Sequence, residues 1–445
     1  MKEKTSVPKA VTAGIVAAGI GLSLAACSPA AESSSAGNDG KRLDVWTRSD
    51  EVAAANYKAV FDAFTEATGI QVNYVPDPDL NNRLQIAAAA GDLPDVVIND
   101  GASLGSYQSR GLLTSVSPQA LDESGAVSEE VWASTKGLDG TNYAVPYSRH
   151  MIGAGIRTDW LSALGLEEPK TLEDFVEVAK AFTSKDPDGN GANDTAGWAA
   201  PLTAEAGYAA WWTAPFIWSA GGDFVTDNGD GTFTSAITKA ETIAGIEAAR
   251  SVVCANPAAI QPSAITDTTG KAAELFYGGG AGIYSFGPWQ TKTLDKNVGE
   301  GKWTVITPPS GSAGTAALAE GENVYLMAGS EATDAQAEFA KFLISEEGQK
   351  LGMTAGTVPS VRLSVNSALD AGTVRQDDRW AAVQSIYDES GRAFPTKIDF
   401  ASIRSAAGET FNAIYASCGN DNVKSELSKL DQVLTQSLKD QGVAR

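Results

Sequence analysis

The chain has 445 residues, with 55 acidic side chains against 33 basic ones, a formal charge of −22, three cysteines and one histidine. That length exceeds what one hydrophobic core usually serves, so two domains are expected. The acidic field disfavours nucleic acid and anionic ligands, and a lone histidine excludes a zinc centre built on His and Cys.

At the N-terminus Lys2, Lys4 and Lys9 precede an apolar run from Ala10 to Ala26 that ends in Leu24-Ala25-Ala26-Cys27. The run is too short and too rich in Ala and Gly to span a bilayer, and its small-residue end marks residues 1–26 as a secretory signal. The Leu-Ala-Ala-Cys ending resembles the lipobox of bacterial lipoproteins, which implies acylation of Cys27; cleavage to a free soluble protein is the alternative. Residues 27–42 are dominated by Ser, Ala, Gly, Asn and Asp after that cysteine, which cannot bury a core and read as a flexible tether of about 20 Å. Removing the leader leaves the body more acidic still, because its three Lys outnumber its one Glu.

From Leu43 short apolar runs alternate with amphipathic stretches, the pattern of an α/β layer. Leu43 and Val45 predict a first strand. Val60, Phe61, Phe64 and Ala67 share a helix face that Gly69 closes. Ile70, Val72 and Tyr74 predict a second strand, Leu80 to Ala90 a helix ended by Gly91, and Asp95 to Ile98 a third strand. A second unit begins where Tyr143 to Tyr147 crosses into a strand over Met151 to Ile156. Thr171 followed by Asp174 then predicts a helix start, with a hydroxyl on free amides and a carboxylate at the positive end of the helix dipole.

Further on, Asp186-Pro-Asp188-Gly-Asn190-Gly191-Ala192-Asn-Asp194 matches the first half of a calcium loop, with side-chain oxygens at Asp186, Asp188, Asn190 and Asp194 and the carbonyl of Ala192. The closing glutamate is missing, since Gly197 stands there. A structural calcium and a metal-free turn are both open; no cofactor is required. Trp198, Tyr208, Trp211, Trp212, Phe216 and Trp218 crowd into 21 residues. Adjacent Trp211 and Trp212 point about 100° apart on a helix, so at least one of these indoles should be partly exposed. With Cys27 used for lipid, Cys254 and Cys418 are left in an oxidising compartment, where a disulfide or two separate buried thiols are the alternatives.

Four stretches carry a family likeness. They are Gly91-Asp92-Leu93-Pro94-Asp95-Val96-Val97 with Tyr107 and Gly111-Leu112-Leu113; Tyr143 to Pro146 with Leu161 to Phe175; Gly278 to Trp289, ending Gly-Pro-Trp; and Phe339 to Pro359, with Glu346-Glu347-Gly348-Gln349. The chain thereby resembles extracellular solute-binding protein family 1 of ABC importers, which includes the maltose-binding proteins. The resemblance implies an α/β, two-lobed periplasmic-binding-protein-like fold with an interlobe hinge and ligand cleft. Lobe one is expected at 43–145 with 308–358 and lobe two at 147–306 with 360–445, which puts Cys254 and Cys418 in one lobe. It further implies a monomeric, non-enzymatic, lipid-anchored protein on the outer face of the membrane, handing a carbohydrate to permease subunits.

A sugar needs flat aromatic faces and paired polar groups. Trp289 is a candidate because the family's Gly-Pro-Trp indole lies against sugar, and Trp211 from the aromatic cluster; core packing is the alternative for each. Trp46 and Arg48 follow the first strand, and Asn99 and Asp100 the third, where open α/β sheets bind ligands. Arg149 and His150 follow the crossover at which the family places a cleft residue, a buried hydrogen-bonded histidine being the alternative. The maltose-binding pattern has an aromatic residue in place of Asn99 and a carboxylate in place of Ala102, which argues against maltose itself. The competing readings are a surface glycoside hydrolase, which the many carboxylates permit, and the same fold binding a non-sugar solute such as a peptide.

Overall fold

The computed structural model describes residues 41–255, 259–419 and 422–445. The leader, Cys27 and the tether up to residue 40 lie outside the described residues. Among the described residues twelve strands are formed: β1 (Arg42–Thr47), β2 (Gln71–Pro76), β3 (Val96–Asp100), β4 (Val145–Arg157), β5 (Ala196–Ala199), β6 (Val225–Asp227), β7 (Phe233–Ser235), β8 (Ala281–Phe286), β9 (Trp303–Ile306), β10 (Ala317–Leu326), β11 (Leu363–Ser364) and β12 (Gly391–Arg392). β1 begins at Arg42, the last residue of the segment expected to be a tether.

The opening β-α-β-α-β unit forms as its periodicity predicts. Helix Glu51–Thr68 buries Tyr57, Val60, Phe61 and Phe64, while Ala67 in its last turn is exposed. Gly69 and Gly91 end their helices at φ +77° and +71°, a conformation that a side chain would strain. The Asp50 carboxylate caps the first helix by accepting from the amides of Val52 and Ala53. Thr171 and Asp174 form a complete capping box on helix Leu172–Ser184, each such cap contributing about 1 kcal/mol.

β1 pairs in parallel with β2 and β3, but β10 then inserts antiparallel between β3 and β4. β4 is one continuous strand across the predicted crossover. Its first part, Val145 to Ile152, pairs with β10, and its last part, Gly153 to Arg157, pairs with β8 and β9. The sheet order is therefore β2-β1-β3-β10-β4-β8-β5, with β9 and β11 also on β4 and β12 on β10. β6 and β7 make a separate hairpin.

One apolar cluster gathers Phe175, Trp198, Ile217, Ile246, Phe400 and Leu427. A second joins Phe61, Phe64 and Phe339 to Phe276, Phe286 and Trp303, so buried apolar packing continues past the β4 crossing. Cys254 and Cys418 are disulfide-bonded, closing a separation of 164 residues. Among the described residues no helix is long and apolar enough to cross a membrane.

Candidate ligand-binding site

β1 and β3 run parallel, so their C-terminal ends deliver Arg48, Asn99 and Asp100 to one place. Asn99 and Asp100 are the last two residues of β3 itself, beyond its predicted end. Arg48 donates through Nε to Asn99 Oδ1 at 3.1 Å and through Nη2 to the Asp100 carboxylate. Asn99 is held from behind, donating to Asn81 Oδ1 at 2.8 Å and to Tyr107 Oη at 2.7 Å. Insertion of β10 brings in two further carboxylates, since Glu320 pairs with His150 and Glu322 with Ser148. Glu322 binds Arg362 at 2.8 Å and accepts from Tyr57 Oη at 2.6 Å.

The aromatic wall comes from elsewhere in the chain. Helix Tyr208–Ser219 buries Trp212 and Trp218 and leaves Trp211 half-exposed, as the adjacency of Trp211 and Trp212 requires. Trp211 Nε1 donates to Glu320 Oε1 at 3.1 Å, and the Arg404 guanidinium lies 4.6 Å above its ring. Trp289, half-buried just beyond β8, meets His150 edge-to-face with centroids 5.8 Å apart, and Arg362 sits 5.8 Å from its ring. Gly287 is required here, because the Trp289 indole folds back over the space a Cβ would fill.

Burial governs the charges. It pushes the Asp100 carboxyl up, but Arg48, Arg404 and His150 together with the Arg48 hydrogen bond hold it below the usual carboxylate range. Burial lifts Glu320 to about 7, with Asp100 adding to the effect against Arg404 and Arg48. It lowers His150 to about 3, Arg362 contributing. Between those values both His150 and Glu320 are neutral, so their 3.9 Å approach is not an ion pair near pH 5 to 6. His150 Nδ1 is buried without a hydrogen-bond partner among the described residues, so the fully bonded core histidine is not what forms.

The predicted residues thus divide. Arg48, Asn99, Asp100, His150, Trp211 and Trp289 are linked in one polar and aromatic cluster. Trp46 does not join it: it lies within β1, under Arg83 at 4.3 Å, against the apolar cluster of Leu80 and Leu84. Arg149 does not join it either, since neighbouring strand residues project to opposite faces. Its guanidinium donates to the Ser364 carbonyl at 2.8 and 3.0 Å and packs 5.1 Å from the Tyr387 ring, lining a cavity of about 430 Å³ that Glu320 of the cluster also borders. Glu320, Glu322, Arg362 and Arg404 were missed. Glu320 and Glu322, two residues apart within the apolar run of β10, carried a signal; Arg362 and Arg404 carried none.

The loop for which calcium and a metal-free turn were both open closes on its own side chains. Asp186 accepts from the amides of Asn190 and Gly191, Asn190 Nδ2 donates to Asp188 and Asp194, and Asn190 Oδ1 accepts from the Ala192 amide. These hydrogen bonds close the turn. Among the described residues no group of three or more His, Cys, Asp or Glu side chains is placed to hold a metal ion.

Residues 49–350 match the family described as bacterial extracellular solute-binding protein. Lipoprotein LipO of Bacillus subtilis is 36% identical over 154 residues, 34% of this chain and 31% of that protein. The polygalacturonan/rhamnogalacturonan-binding protein YtcQ of the same organism is 35% identical over 139 residues, 29% of this chain and 27% of its own. The matched stretch therefore spans less than a third of either relative's length. The GacH receptor of Streptomyces glaucescens, solved unliganded and with acarbose, superposes with a TM-score of 0.76 at 21% identity, over 90% of this chain and 98% of GacH. That likeness is one of fold.

Proposed function

The chain belongs to the bacterial extracellular solute-binding proteins, and from that premise we propose that it captures a carbohydrate, an oligosaccharide by preference, and delivers it to the membrane subunits of an ABC importer without chemical turnover. The observation that carries the reading is the meeting of two half-exposed indoles, Trp211 and Trp289, with the polar set Arg48, Asn99, Asp100, His150 and Glu320. Stacking surfaces beside planar hydrogen-bonding groups suit the C–H faces and hydroxyl rim of a sugar. The naming of YtcQ for polygalacturonan and rhamnogalacturonan points the same way.

The lobes in this proposal are 43–145 with 308–358 and 147–306 with 360–445. The break in register where β4 passes from Pro146 to Ser148 opposite β10 supports a hinge near Pro146. Cys27 anchors the protein to lipid, which keeps a monomeric receptor beside its permease on the outer face of the membrane.

Calorimetry of the mature protein against neutral and acidic oligosaccharides, with reducing ends measured in the same samples, tests the function. Saturable binding with no release of reducing ends is expected. Turnover would favour a hydrolase, and binding of peptides alone would retain the fold but remove the sugar.

A further inference from the structure

The three arginines of the cluster are not equivalent. Arg48 is tied to Asp100, and Arg362 lies 2.8 Å from Glu322. Arg404 forms no ion pair or hydrogen bond among the described residues, and its Nε is buried without a partner. What holds it is packing: its guanidinium lies over Trp211, whose ring meets that of Tyr208 edge-to-face with centroids 5.5 Å apart. A guanidinium stacked on an indole keeps its N–H groups in plane, free to grip a planar acceptor with two bonds.

We infer that the ligand is an acidic oligosaccharide and that Arg404 receives the carboxylate of a uronic acid residue whose ring lies along the tryptophan wall. This rests on reading the cluster as a sugar site. The local charge supports it: two carboxylates, Asp100 and Glu322, already have their arginines. The third, Glu320, is engaged by Trp211 and is about half-protonated near neutrality. With Glu320 half-ionised about half a positive charge remains in the cluster, and a full one when Glu320 holds its proton, and a ligand carboxylate offsets it. A neutral sugar fills the hydrogen bonds but leaves the charge. The acidic body does not forbid this, because charges on the outer surface are screened within about 8 Å at physiological salt while a contact pair is not.

The test uses the mature protein, calorimetry, and three probes: trigalacturonate, its fully methyl-esterified form, and maltotriose. The wild type should bind the acid at least about ten-fold more tightly than the ester, the scale of a charge-assisted bidentate contact. Arg404→Gln should remove that preference, weakening the acid about ten-fold more than the ester, and Arg404→Lys should keep part of it, because the charge survives and the fork does not. Melting curves of both variants guard against loss of fold. Equal binding of acid and ester by the wild type overturns the inference, as does an Arg404→Gln variant that weakens both alike. If only maltotriose binds, the acidic ligand is wrong and the carbohydrate site stands. If none of the three binds, both fall.

Discussion

Glu320→Gln should make the protein more stable in alkaline solution and leave it unchanged in acid. In the unfolded chain this carboxyl loses its proton near the ordinary 4.5, and in the folded protein near 7. The folded state therefore holds the proton more tightly. The stabilising contribution is complete below 4.5 and disappears as the pH rises through 7, where burial of the ionised carboxylate takes its full cost. A gap of 4.5 to about 7 at roughly 1.4 kcal/mol per unit sets a ceiling of about 3 kcal/mol, and relaxation of the site brings the expected value to about 1–3 kcal/mol. Gln is a fair probe because its carbonyl oxygen still accepts from Trp211 Nε1. His150 works in the opposite direction, its contribution being present above 6.5 and lost as the pH falls toward about 3. It is common to both proteins and cancels in the difference. Denaturant unfolding at pH 4.5, 7 and 8.5 should show coincident midpoints at the first and a higher midpoint for the variant at the last. A variant less stable than wild type at pH 8.5 would refute the reasoning, for it would mean that ionised Glu320 is a net favourable partner of Arg404 and Arg48.

Trp289→Ala should weaken the best oligosaccharide by about 2–4 kcal/mol in calorimetry with little change in melting, since the indole is only half-buried; a large stability loss with wild-type affinity would make it a core residue. Replacing Cys254 and Cys418 together by Ser should lower unfolding stability by about 3–5 kcal/mol, because the bridge closes a long loop in the unfolded chain; denaturant curves indistinguishable from wild type would contradict this. Cys27→Ser should move the protein from the membrane fraction to the medium with its melting unchanged, and continued membrane retention would count against the lipid anchor.

What the sequence determined by itself is what depends on neighbours along the chain. The β-α-β-α-β opening follows from apolar spacing and from Gly69 and Gly91 at helix ends, and the start at Thr171 follows from its capping partner Asp174 three residues on. Asn99 and Asp100 were legible because parallel strands present their C-terminal ends to ligands, a rule that needs only strand direction. The choice between Arg149 and His150 was not legible. Alternation along β4 places them on opposite faces, and only the pairing with β10 brings His150 to Glu320 and Trp289. Glu320 and Arg404 belong to the cluster because β10 enters the sheet antiparallel between β3 and β4 and a helix near the C-terminus packs beside Trp211. The proton on Glu320 and the unmatched charge on Arg404 likewise arise from burial and from groups far apart in the chain, so tertiary structure alone decided them.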